Sequence, residues 1–183
     1  LLENLARKSR SQDRELIRAI AAHQQTPTHL FAEIVDIGGN VAQIVAENAR
    51  TPVSVLAKIL CKYGQIKDPT FTTLVALHPH LTARLLLEMH LAPDESTAQS
   101  LWLAKQQETA SARLGELAET DWNVLRLAVV RHPQTAGMTI DRIWHHMSGF
   151  DTNSSQMERL IYDSFVNNPN TSAPLREELR KLL

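Results

Sequence analysis

Short apolar stretches recur along the chain, and each is closed by a His, Asn or Gln. Six segments share one order of residues: an apolar residue, a small residue, a variable position, and then the polar residue, which we call the pivot. The six segments are Ile20 to His23, Val45 to Asn48, Val75 to His78, Leu103 to Gln106, Val129 to His132 and Phe165 to Asn168. Successive pivots lie 25, 30, 28, 26 and 36 residues apart. Spacing of this size is typical of stacked helical repeats.

Each segment predicts the end of one short helix and the start of another. Pro follows the pivot directly at His78, His132 and Asn168, and a Pro disfavours the helical conformation of the residue before it. A Thr stands three residues after five of the pivots, at Thr26, Thr51, Thr109, Thr135 and Thr171, whereas the third segment has Leu81 there and Thr82 one residue later. We expect these threonines to be N-caps that accept hydrogen bonds from the first amides of the second helix.

An apolar residue eleven positions after each pivot predicts the buried side of the second helix, at Ile34, Ile59, Met89, Leu117, Ile143 and Leu179. Helices this short are unstable alone, so they must be held by stacking on their neighbours. Strand-like alternation is scarce. The sequence therefore predicts an all-α protein, a right-handed α-α superhelix, or solenoid, of about six short helix-turn-helix repeats in a single domain over residues 1–183.

Composition narrows the classes of function. The chain has 19 basic and 20 acidic residues and a net charge of −1, so it lacks the basic field that usually draws a protein to nucleic acid. There is no apolar run of membrane-spanning length and no secretory signal pattern, which favours a cytoplasmic protein without a membrane partner. Because the chain begins at Leu1 rather than Met, we also expect that it could be a segment of a longer protein.

The run from Asp121 to Thr135 resembles the unit of the variant leucine-rich repeat family, and Asn168 to Thr171 and His23 to Pro27 echo it. The resemblance implies a right-handed superhelix of short α and 3₁₀ helices, and it assigns no reaction. One form of that family carries a cysteine-bound iron–sulfur cluster, which the single Cys61 cannot hold. The steps between pivots are also longer than that family's repeats, so HEAT-like pairs of α-helices fit the spacing almost as well.

Eight histidines and one cysteine are the candidates for chemistry. His145 and His146 are adjacent and point in different directions on a helix, so they do not converge on one ion. His23, His78 and His132 occupy pivots, where any side chain that can cap a carbonyl would serve. Cys61 follows apolar residues in a predicted helix, which is typical of a packed small hydrophobe. The sequence therefore predicts no catalytic site, no metal, no cofactor and no enzyme.

Binding is the function that a repeat scaffold suggests, and we expect a protein or peptide partner. The candidate binding residues are Trp122, Arg126, Arg131 and Trp144. We expect the inner surface to be formed by the residues five before each pivot, namely Arg18, Gln43, Thr73, Leu101, Leu127 and Asp163. One alternative is a HEAT-like nucleic-acid-binding or DNA-glycosylase-type protein that uses those arginines with Arg142 and Asp141. Another is a structural repeat segment that self-associates through its C-terminal repeat, which ends in Leu182 and Leu183.

Overall fold

The structure is a computed structural model that describes residues 14–64, 69–147 and 155–182. These residues form twelve α-helices and one short 3₁₀ helix, with no strand among them. The predicted all-α class is therefore confirmed. The chain divides into two compact units, residues 1–81 and residues 82–183. The boundary falls inside the third motif segment's turn, next to Leu81, the position where the expected Thr is missing. The single domain remains a prediction.

The first unit contains five α-helices. They are α1 (Arg14–Ala22), α2 (Thr28–Ile34), α3 (Gly39–Glu47), α4 (Val53–Tyr63) and α5 (Thr70–Ala76), with a 3₁₀ helix at Val35–Ile37 after α2. Helix α3 packs against both α1 and α5, whereas α2 packs against α4. The helices that precede the pivots therefore contact one another, and the helices that follow them form a second row.

In the second unit too, the helices that precede the pivots contact one another. Its helices are α6 (Ala83–Glu88), α7 (Glu95–Ala104), α8 (Ser111–Leu117), α9 (Asn123–Arg131), α10 (Gly137–Met147), α11 (Ser155–Asn167) and α12 (Ala173–Arg180). Helix α9 packs between α7 and α11, and it also contacts α8 and α10. Fully buried apolar side chains line these contacts. They include Leu101, Leu114, Leu127, Ile140 and Phe165.

The motif positions occupy the roles that their residue types suggest. The small residue before the variable position is an almost fully buried Ala in four segments, at Ala21, Ala46, Ala76 and Ala104. Alanine has no side chain beyond Cβ, so a neighbouring helix can approach the backbone closely there. The predicted apolar positions on the second helices are also buried, with the exception of the half-buried Met89. The hydrophobic pattern therefore identified the core correctly.

The predicted N-cap role of the motif threonines is wrong. The N-cap residues of α2, α4 and α8 are Pro27, Pro52 and Ala110, and none of these helix starts has a side-chain cap. The threonine hydroxyl instead donates backwards, to the carbonyl oxygen six residues earlier in the first helix. Thr51 Oγ1 lies 2.5 Å from the Val45 oxygen, and Thr135 Oγ1 lies 2.5 Å from the Val129 oxygen.

The same backward hydrogen bond is made by Thr26, Thr109 and Thr171. Each of these carbonyls also accepts from the pivot amide three residues on, so the threonine hydroxyl adds a second hydrogen bond at the end of the first helix. The third segment shows the contrast. There Thr82 stands one residue later, and its hydroxyl accepts from the Leu85 amide at 3.3 Å as an ordinary N-cap of α6. A shift of one residue decides whether the hydroxyl donates to a carbonyl of the preceding helix or accepts from an amide of the following helix.

The predicted inner surface is wrong at three of its six positions. Thr73, Leu101 and Leu127 are buried in the contacts between first helices and cannot face a partner. Arg18 is exposed, and Gln43 and Asp163 are half-buried. In the middle segments the residue five positions before the pivot is buried in the core. That position therefore does not define a common binding surface.

Candidate functional site

Pivot asparagines join neighbouring motif segments through the backbone. Asn168 is 3% exposed, and its side-chain amide donates to the Val130 and His132 carbonyl oxygens at 2.5 and 2.9 Å. Its Oδ1 accepts from the Asn170 amide at 2.8 Å. Asn48 makes the equivalent bonds in the first unit, to the Ala21 and His23 oxygens and from the Arg50 amide. Each pivot asparagine therefore caps carbonyls of the preceding segment and closes its own turn.

The pivot histidines His78 and His132 make the equivalent two contacts with their two ring nitrogens. His132 Nδ1 accepts from the Gln134 amide at 3.1 Å, and Nε2 lies 2.8 Å from the Gln106 carbonyl oxygen. Because Nδ1 accepts, the ring proton is on Nε2, which donates to that oxygen. His78 has the same pair of contacts, from the His80 amide and to the Asn48 oxygen. The expectation that a carbonyl-capping side chain is needed at the pivot is thus confirmed.

This arrangement leaves His78 and His132 committed to the backbone. Both ring nitrogens of His78 and of His132 are used, and neither ring offers a free nitrogen to an ion or a substrate. Among the described residues, no three His, Cys, Asp or Glu side chains are grouped closely enough to hold a metal ion. Cys61 is exposed rather than packed, so its predicted burial is wrong. It lies on the solvent side of α4, whose apolar face is carried by Leu56 and Ile59.

Two of the binding candidates lie at the start of α9. Trp122 is the half-buried N-cap residue, and Arg126 follows one turn later. The Arg126 guanidinium donates to Asn123 Oδ1 at 3.2 Å and lies 3.6 Å from an Asp121 carboxylate oxygen. Its Nε is buried without a hydrogen-bond partner in the described structure. Two of the three guanidinium nitrogens of Arg126 therefore contact residues of the local turn.

The other two candidates lie at separate places. Arg131 ends α9, where its Nε donates to Ser164 Oγ at 2.9 Å beside a cleft of about 330 Å³. Trp144 belongs to α10 and is 6% exposed, with its ring packed edge-on against Phe165 at 5.3 Å between centroids. The four candidates therefore do not form one exposed cluster.

Trp144 nevertheless forms part of the floor of an open groove between α10 and α12. The groove has a volume of about 380 Å³. Trp144 and Leu175 are its buried apolar residues. Asp141 and His145 on α10, and Ser172, Pro174 and Glu178 at the start and middle of α12, complete its lining. The groove combines an apolar base with polar and charged side chains, the composition that binding pockets in proteins usually show.

One exposed apolar side chain lies on α10, about one helical turn before the groove residue Asp141. Met138 is 86% exposed. It precedes Asp141 by three residues and His145 by seven, so all three lie on one side of the helix. Methionine is flexible and polarizable, and it is frequent on surfaces that bind varied partners. The groove and Met138 together form what we call the α10–α12 surface.

The carboxylates of this surface are not matched by nearby cations. Asp141 accepts a hydrogen bond from Ser172 Oγ at 2.9 Å, and no Lys or Arg of the described chain forms an ion pair with Asp141 or with Glu178. Arg142 pairs with Glu119 at 2.6 Å, and Lys181 pairs with Glu177 at 3.3 Å. The groove therefore carries two uncompensated negative charges in a chain whose net charge is −1.

Sequence reasoning named Trp144 but missed Met138, Leu175 and Glu178. The sequence did contain part of the information, because Met138, Asp141 and His145 are spaced so that they lie on one side of a helix. Nothing in the sequence shows that this stripe faces α12, since that depends on how the two helices pack. The candidate site is therefore a product of tertiary structure rather than of the repeated motif.

No helix in the described part of the chain has both the length and the apolar character needed to cross a membrane. No family model matches the chain, and no curated protein and no solved structure matches it either.

Proposed function

We propose that this protein is a non-enzymatic scaffold that binds a protein or peptide on the α10–α12 surface. The observation that carries the proposal is an open groove with an apolar floor, together with an almost fully exposed methionine one helical turn away on α10. A large apolar side chain in water is costly, and a cluster of such surface at a concave site often marks a place of binding.

The fold supports this proposal through the way its polar motif residues are used. Pivots and threonines bond to backbone carbonyls within and between neighbouring helix pairs, which holds the pairs rigidly. We propose that the pairs continue as a right-handed α-α superhelix like that of the variant leucine-rich repeat family. A rigid scaffold loses little entropy when a segment binds to it. The helices α10 and α12 are thus suitable walls for an extended or helical segment.

The size of the groove indicates what it can hold. Its volume of about 380 Å³ lies near the lower end of the roughly 300 to 1,000 Å³ typical of ligand sites. That space accommodates one or two side chains rather than a large cofactor. Recognition of a short segment through one inserted apolar side chain fits this volume.

The arginines of the nucleic-acid alternative have other partners in the described structure. Arg142 pairs with Glu119, Arg126 contacts Asp121 and Asn123, and Arg131 donates to Ser164. Phosphate binding needs guanidinium groups free to replace counterions. The α10–α12 surface itself carries uncompensated carboxylates, which repel phosphate. These features favour a polypeptide partner over DNA.

The proposal can be tested with the protein labelled with ¹³C at its methionine methyl groups. The chain has 4 methionines, so the spectrum is simple, and only Met138 lies on the proposed surface. Peptides selected from a displayed random library should shift and broaden the Met138 signal upon titration. Met147 and Met157 are buried and serve as internal controls that should respond weakly. Assignment follows from the variant Met138→Leu.

Two outcomes would contradict the proposal. One is a library selection that enriches no peptide above the background of an uncoated support. The other is a set of enriched peptides that bind without changing the Met138 signal, because they would then occupy a different surface. A change in all four methyl signals at once would indicate unfolding by the peptide, and a parallel circular dichroism titration identifies that case.

A further inference from the structure

We propose that the partner segment is cationic, with an apolar side chain that enters the groove and an adjacent Lys or Arg that faces Asp141 and Glu178. This inference rests on the proposed function and specifies the chemistry of the ligand at the same site. It concerns a polypeptide, and the charge of the α10–α12 surface is the observation that carries it.

The two carboxylates are placed to act on a bound cation. Asp141 is half-buried in the wall formed by α10, and its one hydrogen bond from Ser172 fixes an oxygen at the groove. Glu178 is exposed on α12, on the opposite wall. A cationic side chain lying across the groove would therefore have a carboxylate on each side. The low polarizability of the apolar floor reduces screening and strengthens both attractions.

The neighbouring cations of the chain do not neutralise this charge. Lys181 lies three residues after Glu178, but its ammonium pairs with Glu177. Arg176 precedes Glu178 by two residues, and its guanidinium donates to the Asn168 carbonyl oxygen at 2.9 Å. Arg142 adjoins Asp141 in sequence and pairs with Glu119. A partner must supply the missing positive charge if the carboxylates are to be matched on binding.

The apolar component of the ligand follows from the floor and from Met138. Trp144 and Leu175 present an apolar surface at the bottom of the groove. Polyamines and inorganic cations would neutralise the carboxylates but would leave that apolar surface exposed to water. A metal ion is a poor alternative, because Asp141, His145 and Glu178 are not grouped as ligands. A segment with both an apolar and a basic side chain is the ligand that satisfies the whole surface.

The test uses synthetic peptides that share one apolar core and differ only in their flanking residues, which are lysine, glutamine or glutamate. Binding to the full chain is measured by fluorescence anisotropy at low and at physiological salt. We expect the lysine peptide to bind about tenfold more tightly than the glutamine peptide at low salt, and the difference should shrink as salt is added. The glutamate peptide should bind most weakly.

A matched pair of variants locates the effect. Glu178→Gln removes a charge from the groove, whereas Glu177→Gln removes the same charge from the adjacent residue, which pairs with Lys181 outside the groove. We expect Glu178→Gln to weaken binding of the lysine peptide about three- to tenfold and to leave the glutamine peptide unchanged. Glu177→Gln should alter neither by more than about twofold.

The outcomes separate this inference from the proposed function. If all three peptides bind equally and shift the Met138 signal, the groove binds polypeptide but the cationic preference is refuted. The same conclusion follows if Glu177→Gln and Glu178→Gln have equal effects, since net charge would then be responsible. If no peptide in the series and none from the random library binds, the proposed function fails as well.

Discussion

Replacement of the pivot Asn168 by Asp tests the role of the pivot directly. The two side chains have nearly the same shape, and the carboxylate can still accept from the Asn170 amide. The second oxygen, however, would face the Val130 and His132 carbonyl oxygens, which the native amide nitrogen approaches at 2.5 and 2.9 Å. Two donated hydrogen bonds become two repulsive contacts.

The expected cost is large because the site is buried. A buried carbonyl left without its donor costs about 1 to 3 kcal/mol, and an unpaired buried carboxylate adds to that cost. Arg176 donates through Nη2 to the Asn168 backbone oxygen and not to its side chain. We expect Asn168→Asp to lower the free energy of unfolding by about 4 kcal/mol near neutral pH. The deficit should shrink in acid, because a protonated carboxyl can donate one hydrogen bond.

Urea denaturation followed by circular dichroism measures this change. The matched control is Asn168→His, because His132 performs the same function with its two ring nitrogens. We expect that variant to lose only about 1 to 2 kcal/mol, from the change in volume. An Asn168→Asp protein as stable as the native one would refute the reasoning, and so would a histidine variant that is less stable than the aspartate variant.

Three further predictions concern single positions. Thr135→Val should lower the free energy of unfolding by about 1 to 2 kcal/mol, because the Val129 oxygen loses the shorter of its two hydrogen bonds and keeps only the one from the His132 amide, whereas Thr135→Ser should cost less in the same urea titration. Thr82→Ala should cost about 1 kcal/mol as a lost N-cap, and a Thr82→Ala protein as stable as the native one would contradict that role. Burial lowers the pKa of Lys105 from 10.5 to about 8. The unfolded chain then binds more protons between these values, so native stability should rise from pH 8 to 10.5. Lys105→Met should be more stable than the native chain below pH 8, and a difference in unfolding free energy that does not change with pH would contradict this.

The hydrophobic pattern predicted the helices and most of the core because both depend on local periodicity. Ile34, Ile59 and Leu117 are buried as expected, and the pivots end helices as expected. The role of the threonines could not be predicted, since a hydroxyl both donates and accepts. Whether it bonds to the helix before it or the helix after it depends on a shift of one residue, as Thr51 and Thr82 show.

The candidate site was beyond sequence reasoning for a different physical reason. Trp144 and Arg131 both looked suitable for binding, but the contact between α10 and α11 buries the first, and α11 supplies Ser164 to the second. Phe165 and Ser164, which contact Trp144 and Arg131, each lie more than twenty residues farther along the chain. The spacing of charges on α10 was visible in the sequence, whereas the facing wall from α12 was not.

The residue types found at the pivot follow from the hydrogen bonds that it makes. The side chain needs an acceptor near the backbone to bind the amide two residues on, and a donor farther out to reach the preceding segment. Asn and the Nε2–H form of His meet both requirements. Gln106 has one more methylene, and its amide donates instead to the Trp102 oxygen within its own helix. The longer side chain therefore caps its own helix rather than a neighbour.

The residues that hold the helices together are distinct from those of the proposed binding surface. The side-chain donors and acceptors of the motif form hydrogen bonds with backbone groups. A substitution at a pivot or a motif threonine should therefore affect the stability of the fold more than binding. The α10–α12 surface uses Met138, Asp141 and Glu178, none of which is a pivot or a motif threonine. Substitutions there should change binding with little effect on unfolding, because the side chains of Met138 and Glu178 are exposed. A scaffold divided in this way can keep its fold while its binding surface varies.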